Sequence, residues 1–450
     1  MSQRREAVFE MRGIWLLAVL LLIGCGETVP TEAGSPPNLI LIIGDDHGYR
    51  DFGFMGSPYV KTPHLDRLAS EGMVFDTAYV TASICRPTLR SLLTGLYPAQ
   101  WNHRIEQLES RNVRRKGTRQ IQDFRTLPGL LAEHGYLSFQ GGKYFEANYQ
   151  LAGFTHGLQR NGANALWGGS SLDLGRKTTA PLYEFMDAHR NEPFFVWYAP
   201  YLPHLPHDAG QDYLKLYAGL GLSNAAIGYY ANISRFDDLV GELVEYLDES
   251  GLRDRTLIVY LADNGWDQNP KDPHIRLSGG PKGKRTMYEL GFRTPIIFNW
   301  PGHVPAGVVQ KALVSGVDLF PTFLDYAGAP APAGYPGRSL RPVVEGTGEW
   351  SRRALIGGMP DSRRPGDETS DFDPTKWVPA YFLRTRDWHY IWYPDQDINE
   401  LFELASDPQE ERNVADRHEA LVQDFRRQIN DWRAHVTRSL PDGPRPGSRG

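Results

Sequence analysis

Five stretches of this chain are apolar at nearly every position: NLILIIG at 38–44, YLSFQ at 136–140, FFVWYAP at 194–200, TLIVYLA at 256–262 and PIIFNW at 295–300. A strand with one wet face alternates apolar and polar residues, so an unbroken run has both faces covered. Helical spacing lies between several of the runs. Ile233, Phe236, Leu239, Val240, Leu243, Val244 and Leu247 form one stripe over 229–251, ending near Gly251, and RTLPGLLAEHGY at 125–136 reads as a shorter helix. Strands alternating with helices predict an α/β sandwich with a mostly parallel central sheet. From about 341 the texture changes. RRPGDETSDFDP at 363–374 reads as a polar loop, and YFLRTRDWHYIWYP at 381–394 and ELFELASDP at 400–408 as antiparallel strands. A helix over about 416–435 follows, and PDGPRPGSRG is expected to be disordered. The expected units are a main domain over 37–340, a C-terminal subdomain over 341–440 and a tail over 441–450.

In an open α/β sheet, ligands sit beyond the carboxyl ends of the strands. Asp45 and Asp46 follow the first run, Lys143 follows the second, His204 comes shortly after the third, and Asp263 and Asn264 follow the fourth. Three carboxylates and an amide are hard oxygen donors, suited to Ca²⁺ or Mg²⁺ rather than zinc. Each pair alone would serve equally well as turn chemistry; their common place at strand ends is what argues for a site. In SICRPTLRSLLTG, Pro87 suits the first turn of a helix and Gly95 its end, with Leu89, Leu92, Leu93 and Leu96 facing inward. Cys85 then stands at the helix N-terminus, where an anion is favoured, although a buried structural cysteine would fit the position too. Arg86 and Arg90 are neighbours on that helix. Their repulsion costs about 0.2–0.5 kcal/mol unless an anion or an acidic side chain sits between them.

The N-terminus has a separate logic. Arg4, Arg5 and Arg12 precede GIWLLAVLLLIG at 13–24, a basic segment and an apolar one too short to span a bilayer comfortably, which reads as an export signal over 1–24. LIGC at 22–25 resembles the lipobox of bacterial lipoproteins. That resemblance implies lipidation of Cys25, a tether over 25–36, and an exported protein held on the cell envelope by a lipid anchor. With Cys25 so used, Cys85 is left without a disulfide partner, since the chain has only two cysteines. A net charge of -6 argues against nucleic acid as a partner.

NLILIIGDDHGYRDFG, CRPTLRSLLTG, GGKY, PHLP, LADNG and GKRTMYELGFRTP, in this order, closely resemble the motifs of the formylglycine-dependent (type I) sulfatases, arylsulfatase-like relatives of alkaline phosphatase. The resemblance spans about 37–415 and includes ELFELASDPQEERNVAD. It implies an alkaline-phosphatase-like sandwich in which Asp45, Asp46, Asp263 and Asn264 hold one divalent cation, usually Ca²⁺, with Mg²⁺ the alternative. Cys85 would be oxidised to formylglycine (3-oxoalanine) by a formylglycine-generating enzyme. One hydroxyl of the hydrated aldehyde would attack the sulfate sulfur of a sulfated carbohydrate or other sulfate ester; the second would expel sulfate. Lys143, His204 and Lys284 would bind the sulfate oxygens, with His204 or Lys284 protonating the leaving oxygen. Lys284 fits the motif better than Lys282.

Two positions depart from the family pattern. Leu89 replaces the arginine of C-x-P-x-R, and Phe145 replaces the histidine of GKWH. Arg90, or else Arg86, is expected to compensate by pairing with an acidic ligand or the sulfate. Trp101, His103, Trp167, Trp266 and Asp267 lie near site motifs and are candidates for a substrate pocket. Two other functions fit the same scaffold: a phosphodiesterase or phosphonate hydrolase, and a lipoprotein that binds sulfated glycans without catalysis.

Overall fold

The strands, in chain order, are β1 (Asn38–Gly44), β2 (Met73–Tyr79), β3 (Leu137–Gly142), β4 (His156–Gly157), β5 (Phe194–Ala199), β6 (Thr256–Ala262), β7 (Arg293–Asn299), β8 (Val308–Gln310) and β9 (Val314–Ser315), followed by β10 (Ala354–Ser362), β11 (Val378–Thr385), β12 (Trp388–Tyr393) and β13 (Ile398–Glu403). The computed structural model describes residues 36–110, 117–146, 148–159, 161, 168–268, 280–363, 378–438 and 440–441. The export signal, Cys25, nearly all of the tether, Trp167, most of the 363–374 segment and the tail beyond 441 lie outside the described residues.

The first nine strands form one sheet in the order β4-β3-β5-β1-β6-β7-β2-β8, with β9 also paired to β2. β1, β5 and β6 are buried at every position, as their unbroken apolar runs require. The sheet is mixed: β7 runs antiparallel to both β6 and β2. β7 therefore begins, at Arg293, where β6 ends. β2 carries Asp76 and Thr77 within MVFDTAY, which hides its strand character from an apolar-run reading.

Helices cover both faces. On one, the long helix Asn224–Glu249 buries Phe236, Leu239, Val240, Leu243 and Leu247 against Ile40, Ile42, Val196 and Ile258. It also carries Asp237, whose carboxylate accepts from the backbone N–H groups of His64 (2.9 Å) and Leu65 (2.8 Å) and so satisfies the start of helix Pro63–Ser70. On the other face, helix Cys85–Thr94 buries Leu89, Leu92 and Leu93 and ends on left-handed Gly95, as its sequence predicts.

The chain after 341 forms a second, antiparallel sheet in the order β10-β11-β12-β13. The expected strand over 381–394 is the end of β11, a turn, and β12; the next ends at Glu403, short of 408. Alternate residues face opposite ways. Phe382, Ile391, Tyr393 and Phe402 join the core of the main sheet, while Leu383, Tyr390, Trp392 and Leu401 pack on Phe425 and Ile429 of helix Glu419–Arg438. Each fully buried side chain of this size is worth about 1.5–3 kcal/mol, so this sheet is part of one core rather than an appended module.

Candidate functional site

Strand register builds the site. Gly44 pairs with Ala262, and Gly142 with Ala199, so four strand ends finish level. Backbone hydrogen bonds continue past them: Asp263 N–H donates to Gly44 O (2.9 Å), Lys143 N–H to Ala199 O (2.6 Å) and Asp45 N–H to Leu202 O (2.9 Å). Gly142 has φ +92°, and a side chain there would collide with the Ala199 carbonyl. Only glycine lets Lys143 turn into the site at that point. Asp46 has φ +61°, an uncommon conformation for a residue with a side chain. Its N–H is held by Asp263 Oδ1 at 3.0 Å.

Oxygens of Asp45, Asp46 and Asp263 and the sulfur of Cys85 lie within 4.8 Å of one another, all buried. The sulfur is 3.6 Å from Asp46 Oδ1 and 3.9 Å from Asp45 Oδ1. Lys143 Nζ contacts Asp45 Oδ1 and Lys284 Nζ contacts Asp46 Oδ1, each at 2.5 Å. His204 Nδ1–H donates to Leu205 O (2.7 Å), which leaves Nε2 facing Asp46 Oδ2 at 3.6 Å. The ring stacks on Tyr201, and Lys143 lies over both Tyr201 and Phe145.

Burial raises the Asp45 carboxyl, and Lys143 only partly offsets it. Burial also acts on Asp46, but Lys284, His204 and Lys143 overcome it and hold that carboxyl well below its ordinary value. Both lysines lose solvation, yet the carboxylates keep them firmly protonated. Burial pushes the Cys85 thiol far up, so an unmodified Cys85 is a neutral thiol at physiological pH.

The donor set fits a hard divalent cation. Asp45 Oδ2, Asp263 Oδ2 and Asn264 Oδ1 are buried oxygens without a hydrogen-bond partner. Asn264 gives its Nδ2 to Asp46 Oδ1 (2.7 Å) and to Gly265 O (2.8 Å), which turns Oδ1 toward no protein donor. A buried unsatisfied oxygen costs about 1–3 kcal/mol, and three of them on three of the four expected ligands make a cradle for an oxygen-seeking ion.

The pocket candidates fare differently. Trp266 is buried and stacks on Tyr229 at 3.7 Å, so it offers no face to a sugar; its carbonyl accepts the Lys284 N–H (3.1 Å). His103 stands on the outer helix Pro98–Ser110 with Gln107 and Glu106 as partners, and no contact links it to Cys85. Trp101 is buried beneath the Arg90 guanidinium, and Asp267 pairs with Arg285. Lys282 is turned away, onto the carbonyls of Gln409 and Glu410.

The two helix arginines do share an acidic partner, but it is neither a cation ligand nor a sulfate. Glu146 accepts Arg90 Nε (2.9 Å) and Nη2 (2.7 Å), and also Arg86 Nε (3.2 Å). Arg90 is buried, with Nε and Nη2 on Glu146 and its guanidinium over Trp101, which corrects its expected place as a substrate contact. Sequence reasoning overlooks Glu146, although it directly follows GGKYF. It also overlooks Tyr229, whose hydroxyl accepts from Gly48 N–H and lies 3.2 Å from Asp46 O.

Removing one cradle carboxylate tests the ligand set without reference to turnover. Wild-type protein stripped of metal should bind one Ca²⁺ or Mg²⁺ per chain by calorimetry. Asp263→Ala should weaken that binding a hundredfold or more, about 2.7 kcal/mol; unchanged affinity would refute the assignment.

Known proteins share both the sequence pattern and the fold. The Sulfatase family pattern matches residues 37–329, and the pattern for the C-terminal part of N-sulphoglucosamine sulphohydrolase matches 280–435. Arylsulfatase A of Homo sapiens is 29% identical over 391 residues, covering 75% of this chain and 73% of that protein. N-acetylgalactosamine-6-sulfatase of Sus scrofa is 31% identical over 366 residues, covering 71% and 67%. Among solved structures, Ps i-CgsB in complex with k-i-k-neocarrahexaose superposes with a TM-score of 0.70 at 26% identity, over 89% of this chain and 94% of the other.

Proposed function

Since this chain belongs to the sulfatase family of the alkaline phosphatase superfamily and is a sulfuric ester hydrolase, we propose that its substrates are carbohydrate sulfates. The proposal includes a nucleophile made from Cys85 by oxidation to formylglycine, and one calcium ion held by Asp45, Asp46, Asp263 and Asn264. The observation that carries it is the meeting of Cys85 with three carboxylates and two buried lysines at registered strand ends. Support for a sugar comes from the N-acetylgalactosamine-6-sulfatase relative and from the neighbour solved with neocarrahexaose. Arylsulfatase A and N-acetylgalactosamine-6-sulfatase both carry sulfatase names, which favours sulfate over phosphonate or phosphodiester substrates.

A bound divalent cation would supply Lewis acidity and balance the three carboxylates. Conversion of Cys85 would replace the neutral thiol with a hydroxyl nucleophile. The other side chains then have clear tasks. Lys143 and Lys284 carry the fixed positive charge that holds sulfate oxygens and stabilises charge on the transferring group. His204 has its ring set by Nδ1–H and faces the site through Nε2. Burial lowers its pKa to about 4, so Nε2 carries a proton for the leaving sugar oxygen only where the charge of a bound sulfate restores it. Lys284, kept protonated by Asp46, is the other donor. Tyr201 and Phe145 flank Lys143 with apolar rings and exclude water there. Export and anchoring through lipidated Cys25 belong to the same proposal and rest on the sequence alone.

Two experiments test the proposal. Purified protein with Ca²⁺ should release sulfate from a panel of sulfated hexosamines and galactan oligosaccharides, chelation should abolish release, and Ca²⁺ should restore it. Higher kcat/KM on a phosphonate monoester or a phosphodiester than on any sulfate ester would contradict the reading. In the native host, the protein should sediment with membranes and Cys25→Ser should shift it out of that fraction; a wholly soluble wild type excludes the anchor.

A further inference from the structure

Glu146 is one buried carboxylate facing two guanidiniums. Arg90 meets it with two short bonds and is itself buried, so that pair is complete and its charge is balanced. Arg86 adds only one longer bond, through Nε at 3.2 Å, and its side chain is 36% exposed. The cluster therefore carries one surplus positive charge, and that charge sits on Arg86. Among the described residues, neither Nη group of Arg86 has a hydrogen-bond partner. The Nε bond restrains the guanidinium, which spares part of the entropy of ordering a long side chain when a ligand binds. The two free Nη groups lie along one edge of a planar fork, and one N–H from each matches the geometry of a carboxylate or a sulfate.

Its place is as informative as its charge. Arg86 directly follows Cys85 in the first turn of helix Cys85–Thr94, and Glu146 closes the segment that begins with Lys143. Arg86 thus ties the helix turn that carries the nucleophile position to the segment that begins with Lys143, and it is more exposed than either Cys85 or Lys143. We propose that Arg86 is a specificity residue that receives a second anionic group of the substrate, a carboxylate or a second sulfate, close to the sulfate being cleaved. The preferred substrate is then a sugar sulfate with another acidic group nearby. This rests on the carbohydrate-sulfate reading and narrows it.

Equilibrium binding tests the proposal without depending on conversion of Cys85. Three oligosaccharides of equal length would be titrated by calorimetry into Ca²⁺-loaded Cys85→Ala protein, with and without Arg86→Gln. The first carries one sulfate, the second two sulfates, and the third one sulfate and one uronate carboxylate. In the Cys85→Ala background, at least one dianionic ligand should bind about ten- to a hundredfold more tightly than the monosulfated one. Arg86→Gln should remove that preference, and Arg86→Lys, which keeps the charge without the fork, should restore only part of it. The ligand whose advantage is lost identifies the second group as sulfate or carboxylate. If Arg86→Gln leaves the preference intact, or if no preference exists, the proposal is overturned. Should the wild type hydrolyse an aryl sulfate while none of the sugars binds, the proposal falls with the choice of carbohydrate. Failure to hydrolyse any sulfate ester, after Cys85 conversion has been verified, would instead defeat the parent reading.

Discussion

Asp45, Asp46 and Asp263 repel one another, and much of the molecule serves to hold them together. Two like charges at 4.8 Å repel by about 3.5 kcal/mol at an effective dielectric of 20. The backbone imposes their proximity through the level ends of β1 and β6 and the left-handed turn at Asp46. The parallel strands beside them resist spreading, because both of their faces are packed. Lys143 and Lys284 reduce the repulsion, yet two ammoniums do not balance three carboxylates, and unsatisfied oxygens remain. A divalent cation removes both deficits at once.

The second sheet contributes to the same end from a distance. Glu289, five residues after Lys284, accepts hydrogen bonds from Tyr79 (2.7 Å), Arg293 (2.7 Å) and Arg384 of β11 (3.0 Å), while its own N–H donates to Glu410 (2.8 Å). His389 of β12 completes the contact by bonding Glu410. These buried polar groups tie the segment bearing Lys284 to both sheets. Nearby, Gly265 passes so close to the Leu290 carbonyl that any side chain there would collide with it. The C-terminal region therefore helps to fix Lys284, one of the two buried lysines of the site, although among the described residues it contributes none to the cation cradle.

The centre of this structure is easier to read in the sequence than its margins. Strands buried on both faces announce themselves by composition, and the polar residues just past them fall at the ligand-binding end. β1, β3, β5 and β6 are legible for that reason, and so are the site residues at their ends. β7 is visible as a strand but not as an antiparallel one, since direction leaves no mark on an apolar run. The aromatic candidates mislead because proximity to a motif says nothing about which face is covered: Trp266 lies under Tyr229, and Trp101 under Arg90. The apposition of Arg86 and Arg90 is a problem that sequence can state, but the solution, Glu146, is 56 residues from Arg90. Leu89 sits in the core, as an apolar residue on the inner helix face should, and Phe145 packs beside Lys143.

The cradle, the lysines and the histidine all converge on Cys85, so the chemistry of the site turns on the state of that residue. Mass spectrometry of the tryptic peptide that contains Cys85, from protein purified from its native host, decides it. An aldehyde at Cys85, seen as a mass below that of the thiol and trapped by a hydrazine, is the predicted result. A plain thiol throughout, in a preparation that still releases sulfate, would contradict the formylglycine nucleophile.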